Sequence, residues 1–289
     1  MKPVLGLALA ATLSACASAA PISYSDLLAR ERPHPDVRIA YGPLPLQYGE
    51  LWLPKGEGPH PLVVMIHGGC WLADLPGTEL MDYVSDDLRA DGIAVWNLEY
   101  RRIGHEGGGY PGTFRDVAAG ADHVRELAKT YPLDLKHVVF AGHSAGGHLA
   151  LWASKPSPLR GETPFVPRGA VSLAGIIDLA AYRETGPDAC GGPGTIDALT
   201  GALFRKTQDL YGGLSPAAML PLGVPQAVIS GDLDPIVPSR FGAAYAAAAK
   251  AAGDPVTELN LKGAGHFELI DPTARAWSAV KGQIKTLLD

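Results

Sequence analysis

Five short runs of apolar residues constrain this chain more than any other feature. They are "LVVMIHGG" from Leu62, "IAVWNLEY" from Ile93, "HVVFAGHS" from His137, "GAVSLAG" from Gly169 and "PQAVISGD" from Pro225. Each is nearly continuous rather than alternating, so each suits a strand buried on both faces of a parallel sheet. Segments with helical spacing stand between them. "TELMDYVSDDLRADG" opens on a capping residue, Thr78, and ends at Gly92. "GTFRDVAAGADHVRELAKTYP" is stopped by Pro132, "AGGHLALWAS" follows the third run, and "SRFGAAYAAAAKAAGD" follows the fifth. "VRIAYG" and "LQYGELWLP" read as an initial pair of strands, and "VTELNLKGAGH" and "PTARAWSAVKGQIKTLLD" as a last strand and helix. No internal repeat interrupts the alternation. It predicts one α/β domain over residues 20–289, with a mostly parallel central sheet flanked by helices. An insert from about Asp178 to Pro221, rich in Gly and Pro, breaks the pattern and reads as a small cap above the strand ends.

The 289 residues are 47% hydrophobic, enough for a full core, and the net charge is −6. No long Lys/Arg run is present, which argues against a nucleic-acid partner. The first 19 residues read differently, with one lysine, a short apolar run and then small side chains. That is a signal peptide too short to span a bilayer. "LSAC" at Leu13–Cys16 resembles a bacterial lipobox and makes Cys16 the expected lipidated residue. Cleavage after Ala19 is the alternative. The expected location is outside the cytoplasm, as an anchored lipoprotein or, alternatively, a soluble periplasmic or secreted protein; the only membrane contact expected is this anchor. Residues 21–36 read as a polar lead-in.

Ligands of parallel α/β sheets bind beyond the carboxyl ends of the strands. Catalytic residues are therefore expected just after strands. Gly142-His143-Ser144-Ala145-Gly146 fits G-x-S-x-G between a strand and a helix, the setting of a nucleophile elbow. A serine needs a base, and for this order of elements an acid and then a histidine should follow it. Asp232 and Asp234, in "SGDLDPIVP", compete for the acid. His266, in "KGAGHFELI", is the candidate base. His34, His60, His105, His123 and His137 precede the serine and are poorly placed, and His143 beside it is not the expected base. An oxyanion needs backbone donors. "HGGCW" at His67–Trp71 offers Gly68, Gly69 and Cys70 to act with Ala145.

These four motifs, in this order, resemble the α/β-hydrolase superfamily over roughly residues 37–289. The closest likeness is to its esterase and lipase branch with an HGGxW oxyanion motif, which includes the BD-FAE type and the kynurenine formamidases. "EYRRIGHEGGGYPGTFRD" resembles the segment this branch carries after its fourth strand. The resemblance places the acid at Asp234, in a G-x-x-D-x-x-V-P pattern, and leaves Asp232 to shape the loop. Cys70 departs from the glycine or aromatic common at its position in the branch; it still supplies an N–H but alters the pocket. Cys70 at the site rim and Cys190 in the cap are a possible disulfide in an oxidising compartment.

The resulting expectation is a serine hydrolase that cleaves carboxylic esters through an acyl-enzyme, without metal or organic cofactor. Activity should fall as His266 protonates in acid. The alternatives are an amide-acting hydrolase, either formamidase or peptidase, and a non-catalytic binding module on the same fold. Trp71, Tyr110, Tyr182 and Phe204 are candidate pocket aromatics.

Overall fold

The computed structural model describes residues 20–161 and 163–289. The expected leader, with Leu13–Cys16 and the cleavage site after Ala19, lies outside the described residues.

A short helix, α1 (Tyr24–Leu28), precedes the sheet. Strands β1 (Val37–Ala40) and β2 (Tyr48–Trp52) form an antiparallel pair. Then follow β3 (His60–Ile66), α2 (Asp82–Ala90), β4 (Ala94–Leu98), α3 (Gly112–Asp122), α4 (Val124–Leu127), β5 (Leu133–His143) and α5 (Ala145–Ala153). Next come β6 (Gly169–Leu173), the insert helices α6 (Leu179–Thr185) and α7 (Pro193–Thr200), β7 (Gln226–Gly231), α8 (Arg240–Ala251), β8 (Val256–Leu261) and α9 (Arg275–Leu288). The eight strands are ordered β1-β2-β4-β3-β5-β6-β7-β8, and all pairs from β4 to β8 are parallel.

Alternation along β3 separates two cores. Leu62, Val64 and Ile66 belong to the core under α3, α5 and α8, which also holds Phe114, Trp152 and Tyr245. Val63 and Met65 face α2 and α9, meeting Val84, Leu88, Trp277 and Ile284. A strand covered by helices on both faces has no polar side, which is why the sequence showed unbroken apolar runs.

Two helical segments differ from their expected form. Thr78 is not a cap: it is the first residue of a 3-10 turn, Thr78–Met81, and makes no side-chain cap bond. The helix begins only at Asp82. The long helix before Pro132 divides at His123 into α3 and α4. The sheet order reverses at β3, with β4 on one side and β5 on the other. Such a switch point opens a crevice at the strand ends, and the turns after β3 and β5 meet there.

Candidate active site

Ser144 follows β5 at φ 55° and ψ −119°, a left-handed conformation for a residue with a Cβ. Packing leaves little room for anything else. A Cβ on Gly142 would strike the Gly146 carbonyl, and one on Gly146 would strike the carbonyls of Ile66 and His67. Gly142 is therefore required by the tightness of the elbow itself, and Gly146 by its close approach to the end of β3. The Ser144 N–H donates to the Leu173 carbonyl (2.8 Å), which pins the elbow to the end of β6. Ala145 is the first residue of α5, so the positive end of that helix lies beside the serine.

His266 Nδ1 donates to Asp234 Oδ2 at 2.6 Å, and the Asp234 side chain is fully buried. Asp234 Oδ1 accepts the N–H groups of Ile236 (2.8 Å) and Val237 (2.9 Å). The carboxylate is thus held by the loop after β7, and it sets the tautomer of His266 that leaves Nε2 able to take a proton. Asp232 does different work: it is exposed and accepts the Gly263 N–H at 2.7 Å, bracing the turn that leads to His266. His143 Nε2 donates to the His266 carbonyl at 3.0 Å, with ring centroids 4.4 Å apart. Burial and the neighbouring His266 hold the His143 pKa well below the ordinary histidine value, so it braces His266 as a neutral ring.

The turn after β3 is held from below by the segment that follows β4. His67 Nε2 lies 3.0 Å from Glu99 Oε1, and His67 Nδ1 lies 2.8 Å from the Gly68 carbonyl. Tyr100 Oη donates to the His67 carbonyl at 2.9 Å, and Arg102 reaches the carbonyl of Leu75 at 2.6 Å. Burial alone would raise the Glu99 pKa. The charge and hydrogen bond of His67, with Arg102, outweigh burial and hold the carboxyl below its usual range. This cradle fixes three left-handed residues in a row, Gly69 (φ 90°), Cys70 (φ 51°) and Trp71 (φ 58°). Among the described residues, no protein acceptor takes the N–H of Gly69 or Cys70. A disulfide joins Cys70 to Cys190, with Cα atoms 5.3 Å apart, and ties this turn to the insert.

Ser144 and His266 line one cavity of about 110 Å³ together with Gly69, Cys70, His143 and Ile236. Gly68 does not line it, and Ala145 directly follows the lining residue Ser144 at the first position of α5. The aromatic candidates are not on it either. Trp71 is fully buried against His148, Tyr110 pairs with Phe204 on the insert, and Tyr182 Oη donates to the Ile236 carbonyl at 2.9 Å. In their place stand Tyr24, Leu75, Pro76, Leu80, Ala189 and Phe267. Of these, Tyr24 lies in the polar segment 21–36, which carries no periodicity or motif.

A mostly parallel sheet with a serine elbow at its switch point, and an acid and a histidine on later strand ends, defines an α/β hydrolase. The chain belongs to the BD-FAE family of esterases, whose model matches residues 50–247. It is similar in structure to a truncated carbohydrate esterase from gut microbiota, at 20% identity and TM-score 0.74, covering 89% of this chain and 99% of that one. It is likewise similar to esterase B of Lactobacillus rhamnosis (19%, TM-score 0.76, 91% and 89% covered). A third is Thermogutta terrifontis esterase 2 phosphonylated by sarin (18%, TM-score 0.74, 90% and 96% covered). At these identities the likeness carries the fold. No curated protein matches the sequence.

Proposed function

We propose that the protein hydrolyses carboxylic esters of short acyl groups through an acyl-enzyme on Ser144. One observation carries the reading: the Asp234–His266 hydrogen bond of 2.6 Å ends at a cavity that Ser144 shares. His266 takes the serine proton as Ser144 Oγ attacks the carbonyl carbon, and Asp234 orients the ring and stabilises the imidazolium. The N–H groups of Gly69 and Cys70, with that of Ala145, receive the oxyanion. His266 then protonates the departing alcohol. Water, activated by the same ring, releases the acid. Asp234 is the acid rather than Asp232, because Asp232 is exposed and committed to Gly263.

The cavity of about 110 Å³ supports short acyl groups, since pockets for drug-sized ligands run to roughly 300–1,000 Å³. The esterase names of the structural neighbours favour esters over the amide reading. A panel of p-nitrophenyl esters of rising acyl length, beside N-formylkynurenine and a peptide anilide, tests this. The expected order is acetate first, with a steep fall by octanoate. Preference for the formamide or the anilide would overturn the ester assignment.

We further propose that the enzyme works outside the cytoplasm. The leader and the Cys70–Cys190 bridge support this. Cell fractionation should place it in the membrane or periplasmic fraction; a cytosolic protein with free thiols would contradict it.

A further inference from the structure

The segment that precedes β1 is strapped across the loop that carries His266. The Ile22 N–H donates to Glu268 Oε1 at 2.7 Å, and the Gly265 N–H donates to Glu268 Oε2 at 2.9 Å. One carboxylate therefore buckles the strap to the residue before the base. Pro21 lies directly over Gly265, where a Cβ would strike its ring. Ser23 and Asp26 form a reciprocal cap that starts α1. Leu27 is fully buried in the core face that holds Phe267, Leu269 and Ile270. Arg30 closes the far end with two bonds to Asp271, at 2.6 and 2.8 Å. Between these anchors stands Tyr24. Its ring meets Phe267 edge-on with centroids 6.1 Å apart, it is 39% exposed, and it lines the cavity of Ser144 and His266. Neither Tyr24 nor Glu268 has a task in the hydrolytic steps above.

We infer that Tyr24 is a specificity-determining residue of the ester site, and that Glu268 is the positioning residue that keeps it there. The inference rests on the ester-hydrolase reading of the site. The physical argument is one of reach and rigidity. The cavity is small, and Tyr24 closes it from a segment outside the sheet and its flanking helices. A half-exposed ring on a free chain end would not hold a wall. Here it is held, because the strap is fixed on both sides of it. Removing the ring enlarges the space open to substrate while Leu27 and the Arg30–Asp271 pair still secure the segment. Glu268→Gln replaces one accepting oxygen by an amide NH₂ that faces an N–H donor, so half of the buckle is lost. The strap end then loosens without any change to a side chain on the cavity wall.

The test is the ratio of kcat/KM for large over small esters, along an acyl series and an alcohol series of p-nitrophenyl and alkyl esters. The proteins are wild type, Tyr24→Phe, Tyr24→Ala, Tyr24→Trp and Glu268→Gln. Tyr24→Ala should raise the ratio about tenfold or more along at least one series, the scale of a single methylene in a pocket. Tyr24→Phe should keep the wild-type ratio, and Tyr24→Trp should lower it. Glu268→Gln should move it in the direction of Tyr24→Ala. Should Tyr24→Ala not fold, the opposed shifts of Tyr24→Trp and Glu268→Gln carry the test. Unchanged ratios in folded variants of an active enzyme overturn this role and leave the esterase reading intact. A wild type inert towards every ester overturns both.

Discussion

Glu99 Oε1 lies 3.0 Å from His67 Nε2, and both side chains are buried at the root of the turn that carries Gly69 and Cys70. Their pairing makes the turn's unusual backbone a consequence of the segment after β4. Glu99→Gln should therefore lower kcat by about a hundredfold with little change in KM, since a displaced donor of about 1 Å acts on the transition state. Steady-state kinetics checks the split. Glu99→Ala, which leaves His67 unpaired, should cost about 3 kcal/mol in denaturant unfolding.

The same pair gives a pH dependence of stability. The folded Glu99 carboxyl titrates below its ordinary value of 4.5. Its stabilisation is therefore complete above that value and is lost as pH falls through the depressed folded one. Thermal unfolding of wild type and Glu99→Gln should differ most at neutral pH and converge in acid. A constant gap would contradict the assignment.

Asp82 has the opposite sign. Burial, then the charge of Glu50, raise its pKa to about 7, against the partial relief of Arg32 at 3.2 Å. The folded state holds this proton more tightly than the unfolded chain. The favourable contribution is thus present in acid and is lost as pH rises from about 3.8 towards 7. Asp82→Asn should raise Tm by about 2–4 °C at pH 8 and leave it unchanged near pH 4. A lower Tm at pH 8 would show that the Arg32 pair matters more than the buried charge.

The Cys70–Cys190 bridge spans 120 residues of sequence and fastens the insert to the turn after β3. The chain after the leader holds no other cysteine. Thiol titration of the denatured, unreduced protein should find none. Cys190→Ser should lower stability by about 2–4 kcal/mol and reduce kcat. Two titratable thiols would remove the bridge.

The elbow, the base loop and the sheet were legible because each obeys a local rule. Strands buried on both faces leave unbroken apolar runs, and the tight elbow around Ser144 demands small residues, Gly142 against the Gly146 carbonyl and Gly146 against those of Ile66 and His67. Choosing Asp234 over Asp232 needed the family pattern, since both sit in one loop and what separates them, burial and the partners His266 and Gly263, appears only in the fold. The cavity wall was not legible. The expected aromatics, Trp71, Tyr110, Tyr182 and Phe204, pack elsewhere, while Tyr24 reaches the site from a short capped helix that shows no hydrophobic period. The strap is held by Ile22 on Glu268 and Arg30 on Asp271, more than 240 residues away, and such pairings leave no trace in local sequence.

Asp234→Asn keeps the shape of the triad but offers an amide to His266 Nδ1. It should lower kcat by about 10⁴-fold with KM within a few-fold. A loss of less than about tenfold would return the acid role to Asp232, which Asp232→Asn would then reveal.

The most direct measurement is a rapid-mixing experiment with p-nitrophenyl acetate followed by mass analysis of the quenched protein. A burst of about one p-nitrophenol per enzyme is expected where deacylation limits turnover. The quenched protein should carry one acetyl group, located on the peptide that contains Ser144 and missing from Ser144→Ala. Turnover without an adduct on Ser144, or an equal adduct in Ser144→Ala, would contradict the acyl-enzyme mechanism.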